Sequence, residues 1–177
     1  KNLEGEDELF CSVEPWLIPV HYGLSNVSGV INAVQVQSSL AGSVMITGAG
    51  AGGEPTASAV LADIIDFANG TKLFSFGRNS YDIQTDYKTN SYKEKYRFYL
   101  RLNVLDKSGV LADLTSIFKD HNLSIESLIQ KSNQEDKTAE LVIITHEANS
   151  SILDEALLSI SKLEGIIKEP VCLSIYS

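Results

Sequence analysis

Positive charge is in short supply. Lys and Arg number 14 against 23 Asp and Glu, leaving a formal charge of −9 and a pI near 4.7. Nucleic-acid phosphates attract basic patches, so no nucleic-acid partner is expected; an ordinary acidic surface accounts for the balance equally well. Cysteine is scarcer still. Cys11 and Cys172 stand far apart without CxxC spacing, which disfavours a metal or redox pair and fits buried thiols in a reducing cytoplasm. No apolar run approaches the ~20 residues of a membrane span, and no secretory leader is expected, so the expected location is cytoplasmic, away from any membrane. His21, His121 and His146 each lack a second ligand at metal spacing, which leaves them as surface or capping residues and predicts no metal. The chain begins at Lys1 rather than Met, which fits a processed product, a truncated chain or a fragment.

What is present is a globular composition, 44% hydrophobic and 21% charged over 177 residues, enough for one ordinary domain or two small ones. Residues 9–13 (LFCSV) form a short apolar run, after which Pro15, Pro19 and Gly23 break the chain into turns. Residues 30–36 (VINAVQV) and 44–47 (VMIT) read as strands. A helix is expected from Pro55, which suits the first helical position because its missing N–H has no partner there anyway. Ala57, Val60, Leu61, Ile64 and Phe67 give that helix an apolar stripe, and Asn69-Gly70 should end it. Glu54 suits the helix dipole and needs no other role. Residues 71–95 are polar and tyrosine-dotted without a period, and are expected to be a linker.

Residues 96–177 have a regular pattern. A strand with alternating Phe98, Leu100, Leu102 and Val104 is followed by a helix presenting Val110, Leu111, Leu114, Ile117 and Phe118 on one face. Residues 123–129 form a strand, QKSNQEDK a hairpin turn and residues 139–145 its partner strand. Ile152, Leu153, Ala156, Leu157, Ile160 and Leu163 repeat at helical spacing, and residues 166–175 close the chain as a strand. The order βαββαβ is the ferredoxin-like arrangement of one antiparallel sheet under two helices. The fold class expected for the whole chain is α+β.

Gly48, Gly50 and Gly53 spell G-x-G-x-x-G between a strand and a helix, in the stretch ITGAGAGGEPTASAVLADII. Such glycines let backbone approach a pyrophosphate, and the helix N-terminus supplies N–H donors and positive dipole charge. A nucleotide-binding domain needs further βα units and an acidic residue for the ribose, where KLFSFGRN offers only Arg78. A complete Rossmann domain is therefore excluded, and a structural glycine turn and a partial phosphate contact both stay open.

Two motifs, NVSGVINAVQV and then GSVMITGAGAGGEPTASAVLADI, resemble in order and spacing the C-terminal end of the catalytic domain of the homoserine dehydrogenase family, over residues 9–69. Leu17 to Pro19 (LIP) matches a similar run in that family. The resemblance implies that residues 1–70 close a mixed α/β catalytic-domain sheet. It also implies that the glycine loop touches a nicotinamide nucleotide, NADP or NAD, from outside the main cradle. By motif position the contacting glycine is Gly52, with Gly50 second. The family's nucleotide-binding half, catalytic lysine and substrate-orienting acids have no counterpart here, so no residue receives a catalytic role.

The stretch VLDKSGVLADLTSIFKDHNLSIESLIQ resembles an ACT domain, an amino-acid-sensing module of biosynthetic enzymes, over residues 96–177. Carried over by position, the effector contacts are Asp106, Gly109, Val110, Leu111, Ser124 and Ile125. Gly109 would let a ligand reach backbone at a helix N-terminus. Asp106 either pairs with an ammonium or caps that helix, and Leu111 is either a contact or core. Ser124 stands where the family usually has asparagine. Many such modules only dimerise. The resemblances imply a parent enzyme that reduces aspartate 4-semialdehyde to homoserine, a homo-oligomer, and threonine as effector. The competing expectation is a stand-alone amino-acid-binding regulator without enzyme activity.

Overall fold

The computed structural model describes residues 11–71 and 95–176, with the backbone of two further short strands, Glu8–Leu9 and Lys88–Thr89. In chain order the elements are β1 (Glu8–Leu9), β2 (Trp16–Leu17), a short 3-10 turn (Gly23–Asn26), β3 (Ile31–Ser38), β4 (Gly42–Ala49), α1 (Gly53–Ala68) and β5 (Lys88–Thr89). There follow β6 (Lys95–Leu105), α2 (Val110–Asp120), β7 (Ile125–Asn133), β8 (Thr138–Thr145), β9 (Ala148–Asn149), α3 (Ser150–Ile160) and β10 (Val171–Ile175). The chain divides into two compact units, Val20–Tyr87 and a second made of residues 1–19 with 88–177. Most of the expected linker at 71–95 lies outside the described residues.

In the first unit β3 and β4 form an antiparallel hairpin in continuous register, from Ile31 opposite Ala49 to Ser38 opposite Gly42. Both strands outrun their apolar cores because the ladder, not hydrophobicity, sets their length. Helix α1 starts at Gly53, two residues before the expected Pro55, and ends at Asn69-Gly70 as expected. No residue of α1 is buried. Val34, Val36 and Ile46 on the hairpin and Ile64, Ile65 and Phe67 on α1 are all more than half exposed. The apolar stripe read from the sequence is real, and here it faces out.

The second unit holds the core. Phe98, Leu100, Leu102 and Val104 of β6, with Ala139, Leu141 and Ile143 of β8, pack against Val110, Leu114 and Phe118 of α2 and Leu153, Ala156 and Ile160 of α3. The alternation that marked these strands is therefore the alternation between a helix-covered face and an open one. The sheet order is β2-β10-β6-β8-β7, with β9 pairing the start of β6. This is the expected ferredoxin-like sheet with one addition, since β2 runs parallel to β10 along what would otherwise be an edge.

Three details depart from the sequence reading. The polar residues Gln130 to Asn133 belong to β7, opposite Leu141 to Thr138 of β8, so the turn is shorter than the run QKSNQEDK. An outer strand can pair its backbone while its side chains stay in water. The last strand begins at Val171, because Pro170 has no N–H for a ladder; Ile166 makes only a bridge to Val104. Leu163 lies beyond the end of α3 and packs on the core from a turn.

Candidate functional site

The glycine loop is built by close approach of its own chain. The Gly50 N–H donates to the Val30 carbonyl at 2.7 Å, tying the loop to the residue before β3. A Cβ on Gly50 would overlap the side-chain amide of Asn32. Gly50 is thus required by Asn32, a reason internal to the hairpin. Gly52 differs. It is the N-cap of α1 at φ 121° and ψ 148°, a conformation that L residues avoid. Its carbonyl accepts from both the N–H of Thr56 at 3.1 Å and the Thr56 hydroxyl at 2.7 Å, locking the first turn. The first N–H groups of a helix have no intrahelical acceptor; here Pro55 has no N–H to offer and that of Thr56 is taken, which leaves those of Gly53 and Glu54 at an exposed helix end for an anion. These residues fit one backbone-lined edge of a nucleotide site and nothing more extensive. The hydride chemistry of a nicotinamide belongs to the cofactor itself.

The six positions of the predicted effector set fall into two groups. Asp106, Gly109, Val110 and Leu111 follow the C-terminal end of β6, where Leu105 faces Thr138 of β8. Ser124 and Ile125 lie at the start of β7, where Ile125 faces Thr145. These are opposite ends of β8. At ~3.3 Å per residue the two groups are on the order of 20 Å apart within one chain.

Gly109 is the N-cap of α2 at φ 99°, with open space where a side chain would sit. No side chain caps α2, so Asp106 is not its cap; instead the Asp106 N–H donates to the Lys137 carbonyl at 2.9 Å. Asp106 and Ser124 are exposed, Val110 is core, and Leu111 is 39% exposed rather than core. Open depressions of this unit include two lined by described residues. One, of about 340 Å³, is lined by Asp154, Leu157, Leu158, Ser161, Glu169 and Pro170. The other, of about 490 Å³, is polar and includes Asn103, Lys131, Asn133 and Glu140. Neither is lined by the predicted effector residues.

Sequence reasoning missed the junction made by β2. Trp16 meets Tyr96 edge-to-face at 4.8 Å and Tyr176 at 6.4 Å, and the Tyr176 N–H donates to the Leu17 carbonyl at 2.9 Å. Just before it, Glu14 sits close enough to Asp154 of α3 and Cys172 of β10 to act on both. Burial, and then the Glu14 charge, raise the Asp154 carboxyl above its ordinary value. Burial first, with Asp154 and Glu14 adding, pushes the Cys172 thiol up to about 12. Two residues are too few to show a period; the only cue was one tryptophan between two prolines. Among the described residues no group of three or more His, Cys, Asp or Glu is placed to hold a metal. Among them, too, no helix is long and apolar enough to cross a membrane.

Comparison with known proteins gives a consistent answer. The family model described as homoserine dehydrogenase matches residues 4–65, and the one described as ACT domain matches residues 98–165. Homoserine dehydrogenase of Neisseria gonorrhoeae is 37% identical over 164 residues, covering 88% of this chain and 37% of that protein. That of Corynebacterium glutamicum is 33% identical over 168 residues, covering 94% of this chain and again 37% of the relative. The crystal structure of a homoserine dehydrogenase from Thiobacillus denitrificans superposes with a TM-score of 0.76 at 28% identity, over 97% of this chain and 40% of the other. The chain thus spans less than half the length of these relatives. The two matches fall in the same order as the hairpin–helix segment with its Gly52 turn and the ferredoxin-like unit with its Gly109 turn, and the chain belongs to the homoserine dehydrogenase family, as a catalytic-domain segment followed by an ACT domain.

Proposed function

We propose that the chain is the regulatory end of an NAD(P)H-dependent homoserine dehydrogenase, a cytoplasmic enzyme of threonine and methionine biosynthesis that reduces aspartate 4-semialdehyde to homoserine. In this reading Gly52 and the first turn of α1 supply one edge of the nucleotide site, with Gly50 holding the loop against Asn32. The exposed apolar surface of the hairpin and α1 meets other parts of the enzyme. The ACT unit binds an amino acid, threonine being the effector the pathway suggests.

The observation that carries the regulatory part is the separation of the effector residues. Of the two sheet edges, β2 occupies the one beside β10, and among the described residues β7 has no strand on its outer side. An open strand edge is a template for pairing with another chain. If two β7 strands pair antiparallel, the Ile125 end of one lies beside the Asn133 end of the other. The Asn133 end is the one that carries the Gly109 turn, so side-by-side pairing unites the two groups twice, once at each end. An amino acid held there meets backbone N–H groups of α2 with its carboxylate, and the Asp106 carboxylate is available to its ammonium.

The test is enzymatic. In a chain that carries the upstream catalytic part, L-threonine should inhibit NADPH oxidation by aspartate semialdehyde, and deleting residues 96–177 should remove the inhibition. Inhibition that survives the deletion would place the effector site elsewhere.

A further inference from the structure

The ACT sheet has a second surface that the helices leave open. Its rows follow from the strand register. Leu173 of β10 faces Tyr99 of β6, which faces Ile144 of β8. One row along, Val171 faces Arg101, Arg101 faces Val142, and Val142 faces Ile129 of β7. Each of these residues alternates with a helix-facing neighbour, so all lie on the outer face. Strand β8 thus reads Leu141, Val142, Ile143, Ile144, apolar on both faces. An antiparallel strand with one face in water alternates apolar with polar; a continuous apolar run is the pattern of a strand covered on both sides. Ile129 is 64% exposed and Val171 37%, so no described residue of this chain covers them.

We propose that the outer face of this sheet stacks on the same face of a second copy of the chain. Charge favours a copy. The chain carries −9, which drives two copies apart over most of their surface. This face brings together Arg97, Arg101 and Lys131 with Glu126 and Glu140, close to balance. Arg97 and Glu126 already form a two-pronged pair, at 2.8 and 2.6 Å, which a facing sheet does not have to satisfy. Area points the same way. Four strands at ~4.8 Å spacing and about six residues of length give a footprint of about 400 Å² per module. That is half of the ~800 Å² per partner of an ordinary specific interface. Pairing through β7 joins two outer faces into one continuous surface and doubles the footprint to that figure. The stacking therefore rests on the self-association proposed above, and adds a second step to it.

Sedimentation of the purified chain at tens of micromolar, near common transient affinities, tests this. Ile129→Lys, at an exposed position that tolerates the change, and Val142→Lys place a charge in the stacked layer. Both should weaken one association step by on the order of a hundredfold, with the melting transition of Ile129→Lys retained. Ile46→Lys, on the exposed hairpin of the other unit, should leave that step in place. A wild-type chain that stays monomeric overturns both the stacking and the self-association reading. Lysine variants with the wild-type mass distribution overturn the stacking and leave self-association standing, with the face then assigned to another part of the enzyme.

Discussion

Gly109 allows the sharpest test, because its surroundings separate backbone cost from steric cost. The residue has φ 99° and ψ −33°, and a Cβ built on it meets nothing within 4 Å. Any penalty for substitution is therefore conformational. Holding an L residue in so sparsely populated a region costs about 1–3 kcal/mol. In a unit of this size each kcal/mol moves the melting temperature by about 4–8 °C. Gly109→Ala should thus melt roughly 5–20 °C lower, Gly109→Asn should lose less because asparagine tolerates positive φ, and Gly109→Val should lose most. The same series reads the effector site. A ligand that binds only the folded state adds RT ln(1 + [L]/Kd), about 2.7 kcal/mol at a hundredfold excess, so L-threonine should raise the wild-type transition by about 10 °C or more. In Gly109→Val the rise should vanish, since the branched side chain fills the space the ligand uses. The assay is thermal melting by circular dichroism, with baseline and threonine increment recorded separately. Equal melting of the Ala, Asn and wild-type chains would refute the backbone argument. A wild-type transition unmoved by any proteinogenic amino acid at millimolar concentration would refute the sensing role.

Other outcomes follow from single features. The purified chain should leave NADPH oxidation with aspartate semialdehyde at background, and turnover above it would show that the missing catalytic groups are not required. Leu100, fully buried, should cost about 2–5 kcal/mol on truncation to alanine. Val34, 63% exposed, should cost almost nothing, a contrast that urea unfolding of both variants checks. Cys172, with its thiol pushed from 9.0 to about 12, should alkylate about a thousandfold more slowly at pH 8 than a thiol of ordinary acidity, and far more slowly than exposed Cys11. The sign for stability follows: the unfolded thiol ionises from about pH 9 while the folded one stays protonated to about 12, so stability falls as pH rises through that window. A melting temperature that rises between pH 9 and 10.5 would contradict it. Breaking the Arg97–Glu126 pair with Arg97→Ala should cost less than about 1 kcal/mol, since both side chains are more than one-third exposed.

The ACT fold was legible because its information is periodic. Leu100, Leu102 and Val104 alternate, and Val110, Leu114 and Phe118 return every turn, so helix-facing positions could be read before any coordinates. The ends were less legible, because ends are set by hydrogen bonding. Gln130 to Asn133 look like a turn until Leu141 to Thr138 pair with them. The glycine loop was half readable. Its spacing announced a backbone needing glycine, but only the structure separates Gly50, forced by Asn32, from Gly52, forced by its own φ. Which effector residues lie together was not readable at all. Asp106 and Ser124 are 18 positions apart in sequence, and the register of β8 alone sends them to opposite ends of the sheet.

The strand Trp16–Leu17 has a consequence for anyone who would cut this protein. Cutting at residue 95 looks natural from the sequence, as if the ACT unit were a cassette. The structure makes it a lock whose key lies some eighty residues earlier. Excising residues 96–177 removes β2 from the outer side of β10, takes away the Leu17 carbonyl that accepts from the Tyr176 N–H, and removes the indole that meets Tyr96 and Tyr176. The isolated piece gains a bare parallel-pairing edge and two tyrosines that have lost their indole neighbour, the makings of a sticky fragment. The same thread ties the unit to the chain on both sides of Trp16. Transplanting this regulator onto another enzyme therefore means moving two segments of sequence, and a swap that moves only the second leaves the seam open.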